Sequence, residues 1–481
     1  MPQWPQFIGG STVAASAIGD NQESINLYGE TLPSGGTNAA FLRPTPGFQV
    51  WAQASPDVGT RALLSIANQR LFAVIGGGLW EFDVQGGRAR RGTVAADTQP
   101  AQLAYNGVIG NQIGIASGGN IYAYNLSTNA LTGPYLTGGY THIAFAGGFG
   151  LAFNPTTGKV NLSNLNDLTV WDAAQFFQRS LFADPWQCMC VDQNNLVWLI
   201  GTDTFEAWYN TGSGTQPWAP LSGLVGLMGI VGPFAYATTQ LGTLWIGRNQ
   251  SGQGLLVNAH GGAPEVLSSR AMASAVSTYS SHGGLVDTEI IQHTTDAHVF
   301  TNVTFPRGGT WTYDHLEQAW HRRGRWNAST NQFDIWQPRC HVMCFGKHLT
   351  GDRNSGIVSE MDPLFATERD GEGIRRLRRA PAIVSEQRRG PIDQIELLMD
   401  VGLGAQSGQG APPTVRLRVS DDGGRTWGNE LTASTGAAGA YRTRVYWTRL
   451  GLFHDAVCEV TYSDPVPFRV VDAYVNNFEA R

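Results

Sequence analysis

Apolar runs alternate with Gly-rich turns through the first three-quarters of the chain. The first hairpin-like unit reads "NQRLFAVIGGGLWEFDV" from Asn68, and the second reads "NQIGIASGGNIYAYNL" from Asn111. Further copies are "GGFGLAFNPTTGKVNLSNL" from Gly147 and "NNLVWLIGTDTFEAWYN" from Asn194. Looser ones begin at Leu241, His298 and Gly346. Each pairs an apolar strand with a short turn and a second strand of alternating or aromatic residues. The turns centre near Gly77, Gly118, Gly158, Gly201, Gly252, Gly308 and Gly356, spaced 41, 40, 43, 51, 56 and 48 residues apart. Such a period is expected of four-stranded propeller blades, and seven hairpins predict six or seven of them. The small apolar strands "LFAVIGG", "IGIASGG" and "VWLIGTD" are expected innermost, around a central channel.

The pattern breaks twice. "AMASAVSTYS", within residues 269–292, has helical spacing and predicts a short insertion between blades. Residues 367–391 are dense in charge and predict a linker leaving the propeller, which spans 56–366. Beyond it, "IDQIELLMDVG", "TVRLRVSDDGGRTWGN", "YRTRVYWTRLG", "AVCEVTYSDPV" and "FRVVDAYVNNFE" predict a terminal β-sandwich over 392–481. Residues 1–55 are expected to pack on the propeller or close it. The fold class is therefore all-β.

Composition agrees. Sixty Gly, 23 Pro and abundant aromatics, with only 15% charged residues, favour short strands and tight turns over helices. The net charge of −6 argues against a general nucleic-acid-binding surface. It is unevenly spread: residues 1–300 carry 9 Arg and 1 Lys against 17 acids, whereas residues 301–481 carry 21 Arg and 1 Lys against 21. Five cysteines, an odd number, predict a reduced protein with no disulfide framework. The start "MPQWPQFIGGST" lacks a basic-then-apolar pattern, so no export peptide is expected, and no apolar run reaches membrane-spanning length.

Candidate chemistry is sparse. "VSDDGGRTWGNE" fits the Asp-box pattern of sugar-cleaving propellers through Ser420, Asp422, Gly424, Thr426 and Trp427. Those residue types brace a hairpin by side-chain-to-backbone bonds and positive φ, and the stretch is read as a structural turn. Cys340, His341, Cys344 and His348 form one local Cys/His cluster, which alternation on a strand explains without a metal. No nucleophile, paired-carboxylate or phosphate-loop motif stands out, so no catalytic residue and no cofactor is expected. The run Arg375, Arg376, Arg378 and Arg379, continued by Arg388 and Arg389, is the main electrostatic feature. On a strand Arg376 and Arg378 share one face, and Arg375 and Arg379 the other. Three readings stay open for it: pairing with Glu368, Asp370 and Glu372, contact with a partner protein, or contact with DNA phosphates.

"SINLYGETLPSGG" from Ser24 and "LRPTPGFQVWA" from Leu42 together resemble the opening of the packaged-DNA stabilisation proteins of short-tailed bacteriophages. Ile25, Asn26, Leu27, Tyr28 and Glu30 match the first motif of that family, with Gly29 where it usually has Pro. Leu42, Thr45, Pro46 and Gly47 match the second. "PWAPLSGLVGLMGIVGPFAYATTQLGTLWIG" from Pro217, and the strands of the terminal sandwich, extend the likeness along nearly the whole chain. The resemblance implies a virion protein made in the host bacterial cytoplasm. It would form a homohexameric tail hub, or nozzle, beneath the portal and its head-to-tail adaptor ring. Such a hub closes the DNA exit channel, lets genomic DNA pass without sequence-specific binding, and carries tail fibres, spikes or a needle. A carbohydrate- or receptor-binding adhesin, or a sialidase-like glycosidase, are the alternatives on the same scaffold.

Overall fold

The computed structural model describes residues 1–13, 21–32, 39–178, 181–213, 217–248, 254–282, 284–384, 389–404 and 412–475. The turn expected near Gly252, Gly36 of the first quoted motif and Arg388 lie outside the described residues.

Seven antiparallel blades follow in chain order among the described residues. Blade one runs from Thr60–Ile66 through Arg70–Ile75 and Gly78–Phe82 to Arg88–Thr93. Blade two runs from Gln102–Tyr105 to Ala130–Tyr140, blade three from His142–Ala146 to Asp167–Gln178, and blade four from Trp186–Val191 to Trp218–Gly226. Blade five is built on Gly242–Arg248, with Tyr236–Thr239 on its inner side and Gly254–Ala259 and Glu265–Val266 beyond. Blade six runs from Glu289–Thr295 through His298–Phe305 and Gly309–Asp314 to Ala319–Arg323. Blade seven takes Pro338–Cys344, Lys347–Asp352 and Ile357–Asp362 from one end of the propeller sequence and Gly47–Gln53 from the other. The ring is thus closed by an N-terminal strand, and Pro338–Cys344 packs beside Thr60–Ile66 of blade one.

The strands expected innermost are instead the second strands of their blades. Arg70–Ile75, Gln112–Ser117 and Val197–Gly201 are almost wholly buried. They are apolar because each blade is covered on both faces by its neighbours, as in the cluster of Phe72, Val74, Ile113, Ile115 and Tyr124 between blades one and two. The true inner strands are more polar. Gln102–Tyr105 and Tyr236–Thr239 are only partly buried, since they line a water-accessible channel.

The expected helix is Arg270–Ser281, between blades five and six. Ser269 caps it by accepting the Met272 amide, and Met272 and Val276 are buried within the core shared by blades four to six.

The sandwich has two sheets. One orders Leu27–Thr31, Ala40–Pro44, Val470–Val475, Gly390–Met399 and Val445–Phe453. The other orders Asn21–Ile25, Arg376–Arg379, Asp455–Tyr462, Thr414–Ser420 and Leu431–Ser434. Trp4, Phe7, Leu27, Ile395, Val415, Trp447 and Phe468 fill the space between them. Two sequence expectations change here. The N-terminal segment closes the propeller only through Gly47–Gln53, while its earlier strands complete the sandwich. The stretch expected as a linker contains Arg376–Arg379, a strand flanked by Asn21–Ile25 and Asp455–Tyr462. Both changes have one cause: strand pairing satisfies backbone groups between segments more than 300 residues apart, which local patterning does not encode.

Candidate functional site at the junction of propeller and sandwich

Asn21–Ile25 joins the two parts of the molecule. One edge pairs antiparallel with Arg376–Arg379 of the sandwich, and the other pairs parallel with blade six at Ile25 and Arg322. The outermost strand of blade six therefore continues into the sandwich as one eleven-stranded sheet.

Asn26 sits at the crossing with φ of +57°, a left-handed conformation that Asn tolerates better than most residues. Its Nδ2 donates to the Gly324 and Arg375 carbonyls, both at 2.8 Å, and its Oδ1 accepts the Gly324 amide at 3.1 Å. Its own amide donates to the Arg322 carbonyl, and its carbonyl accepts from Thr45. Asn26 thus ties blade six and the sandwich strand through its side chain, and the chain entering blade seven through its carbonyl.

The other family-like residues surround it. Leu27 is fully buried in the sandwich core. Tyr28 packs edge-on against His298 and Phe300, and burial raises its pKa to about 12. Glu30 binds Arg43 at 2.6 Å, and Arg43 also reaches Asp296 of blade six. Thr45, Pro46 and Gly47 are buried where the chain turns into blade seven. A Cβ on Gly47 would lie 2.5 Å from the Phe365 carbonyl oxygen, so only glycine permits this approach.

Within the arginine run, Arg376 and Arg378 are interior and Arg375 and Arg379 are half-buried. Arg376 and Arg378 are 1% and 0% exposed. Arg378 donates to the carbonyls of Gln6, Phe7 and Gly10, to Ser24 Oγ and to Gln22 Oε1, at 2.7–3.1 Å. Burial pushes Arg376 down to about 10. On the opposite face Arg375 stacks 3.9 Å from the Trp326 ring and faces Glu430, while Arg379 bridges Glu23 and the fully buried Glu459. Arg418 joins Glu459 through Nε at 2.6 Å, and Arg322 pairs with Glu23. Burial raises the Glu23 pKa, but Arg322 and Arg379 outweigh it, and the carboxyl stays ionised below its usual range. The alternation read from the sequence holds, but the partners are Glu23, Glu430, Glu459 and backbone carbonyls. Of the acids expected to pair with the run, Glu368 attracts Arg376, while Asp370 pairs with Arg325. Arg389 is exposed.

The Asp-box-like hairpin borders the same network. Ser420 Oγ donates to Asp422 Oδ1 at 2.7 Å and accepts the Gly424 amide at 2.9 Å. Asp422 also accepts the Arg425 and Thr426 amides and the Thr426 hydroxyl, which hold its carboxyl well below the usual range. Gly424 has φ of +87°. Trp427 packs against the guanidinium groups of Arg379 and Arg418, 5.2 and 4.5 Å from its ring centroid. All five residues brace the turn.

The propeller channel is a second feature. A cavity of about 460 Å³ is lined by inner-strand residues including Arg61, Gln102, Tyr236, Glu289 and His341. Glu289 bridges Arg339 at 2.7 Å and Arg353 at 2.6 Å, and Arg61 pairs with Asp97. Three guanidinium groups thus share two carboxylates. His341 Nε2 and His348 Nδ1 lie 3.1 Å apart, whereas Cys344 is buried in the core between blades seven and one. No group of three or more His, Cys, Asp or Glu side chains poised for a metal occurs among the described residues. No helix among them is long and apolar enough to cross a membrane.

Sequence reasoning overlooked Glu23, Glu459 and Arg322, the charges that complete the junction. They lie singly on alternating strands, with no local signal beyond a charge at an inward position.

No curated protein matches the chain. Solved structures similar to it include the extracellular domain of a hybrid two-component system from B. thetaiotaomicron, at 7% identity and a TM-score of 0.44. That match covers 83% of this chain, which spans only 47% of that domain's length. Virginiamycin B lyase from Staphylococcus aureus matches at 7% identity and 0.43, over 66% of this chain and 99% of the lyase. YCF48 from Cyanidioschyzon merolae matches at 12% identity and 0.39, over 66% and 99%. Family models are more telling: "Bacteriophage P22 Gp10, beta-propeller" matches residues 18–366, and "Bacteriophage P22 Gp10, beta-sandwich" matches 375–476. With both parts matched in order, the chain belongs to the bacteriophage P22 Gp10 family and is a phage tail structural protein that joins a β-propeller to a C-terminal β-sandwich.

Proposed function

We propose that this chain is the hub, or nozzle, of a short phage tail: a homohexameric ring beneath the portal and its adaptor that closes the DNA exit channel and carries fibres or a needle. It performs no catalysis. The observation that carries this reading is the eleven-stranded sheet running from blade six into the sandwich. A part that holds pressurised DNA on one side and fibres on the other must transmit force without hinging. A sheet joined across the Ile25–Arg322 pair, reinforced by Asn26 and the Glu23–Arg379–Glu459–Arg418 chain, suits that task.

In this reading DNA travels along the ring axis rather than through the propeller. The propeller cavity of about 460 Å³ is small-molecule sized and crossed by ion pairs. The acidic balance of residues 1–300 disfavours adhesion of phosphates to the wall that faces the genome. Electron cryo-microscopy of the intact tail tests the reading directly. Six copies below the adaptor are expected, and a monomer at a fibre tip would overturn it. A strongly positive ring lumen would refute the account of DNA passage.

A further inference from the structure

The outer rims of the seven blades are not alike. Blade one ends in the strand "RARRGT", whose Arg residues discourage strand addition. Blade five is followed by the helix that packs on it, and blade six continues into the sandwich. Blades two, three and four end in long, exposed strands: Ala130–Tyr140, Asp167–Gln178 and Trp218–Gly226. Their only charges are Asp167 and Asp172, and each strand has a single hydrogen-bonded neighbour among the described residues. Such edges are templates for another strand. On Asp167–Gln178 a bulge over 172–175, where Asp172 accepts the Ala174 amide, leaves the stretches on either side of it for pairing. On Asp167–Gln178, Val170 and Phe176 are 45% and 36% exposed. A groove of about 230 Å³ beside it is lined by Leu165, Ala174, Phe176 and Trp218.

The sandwich offers a complementary edge. Val445–Phe453 terminates its sheet, with Tyr446 and Leu452 47% and 57% exposed. The segment from Tyr441 to Phe453 carries Arg442, Arg444 and Arg449 and no acid; Arg444 is paired with Glu396 of the neighbouring strand, which leaves Arg442 and Arg449 for a partner. Residues 101–228, by contrast, carry two basic residues against six acids. Position matters as much as charge. The sandwich extends from the rim of blade six, and blades two and three each stand three blades away from it around the ring. The two edges therefore lie at opposite ends of the protomer, the arrangement a head-to-tail closed ring requires.

We infer that copies of this chain join edge to edge, with Val445–Phe453 of one copy lying along Asp167–Gln178 of the next, Tyr446 and Leu452 entering the groove beside Phe176, and Arg442 and Arg449 facing Asp172. This rests on the ring reading above and names its interface.

The test is native mass spectrometry of tails assembled from the full chain. Wild type is expected to give rings. Ala174→Lys, which places a charge on an exposed edge position, is expected to give folded monomers. Asp172→Arg is expected to do the same, with rings regained when it is combined with Arg449→Asp. Arg90→Asp, on the rim of blade one, is expected to leave rings intact. A Gln175→Cys, Leu452→Cys double variant should cross-link neighbouring copies on oxidation. Rings that survive both Ala174→Lys and Asp172→Arg, without the cross-link, would overturn this interface and leave the hub reading standing. A wild-type chain that never forms rings would overturn both.

Discussion

Replacing Asn26 is the sharpest probe of the junction. The side chain is 3% exposed and makes three hydrogen bonds, two donated by Nδ2 and one accepted by Oδ1. At about 1 kcal/mol net for each bond, Asn26→Gly should cost about 3 kcal/mol while keeping the positive φ at no steric cost. Asn26→Ala loses the same bonds and also forces a Cβ-bearing residue without a local hydrogen bond into the left-handed region, which adds about 1 kcal/mol. The ordering, Ala worse than Gly and both worse than Asn, is the signature of a residue chosen for its backbone conformation and its amide together. Urea unfolding followed by tryptophan fluorescence gives the magnitudes. Hydrogen exchange of the Gly324 amide, which bonds directly to Oδ1, reports whether the loss is local to the junction. An Asn26→Ala variant within about 1 kcal/mol of wild type, with Gly324 still protected, would refute the view that this side chain ties the two parts together.

The buried charges, the close-packed glycine and the buried histidines each set a further measurable outcome. Glu459→Gln, which leaves Arg379 and Arg418 facing a neutral amide inside the sandwich, should lower stability by about 3 kcal/mol in urea, and an unchanged midpoint would show the carboxylate to be dispensable. Gly47→Ala drives a methyl group against the Phe365 carbonyl and should cost about 2 kcal/mol or more, with faster proteolysis of Gly47–Gln53 as blade seven loosens. Stability should fall as pH drops below about 6.5: burial holds His142 at about 4 and His341 at about 3 in the folded chain, with His293 and His321 also depressed, so the unfolded chain binds more protons across that window. Glu368, raised by burial to about 7, acts in the opposite direction between about 4.5 and 7, and a urea midpoint rising on acidification would mean that it outweighs the histidines.

Much of the architecture was legible beforehand, because a blade writes itself into sequence locally. The turns near Gly77, Gly118 and Gly158 need glycine or a short polar loop, and the strands between them alternate or run apolar according to how many faces are covered. The hairpin of Ser420, Asp422 and Gly424 and the helix after Ser269 are legible for the same reason: each is bonded within a few residues of itself.

What lay beyond reading was who pairs with whom. "LFAVIGG" announces burial on both faces, yet nothing in it says whether the covering surfaces are two blades or a blade and an axis. "RRLRR" announces charge, and its surroundings in sequence are polar. Only the arrival of Gln6, Phe7, Gly10 and Gln22 on one side, and of Glu459 on the other, turns it from a surface strip into the interior of a sheet. Period and polarity along a chain record how many faces of a strand are covered; the identity of the cover is set by contacts tens to hundreds of residues apart, where the competition among all possible partners is decided at once.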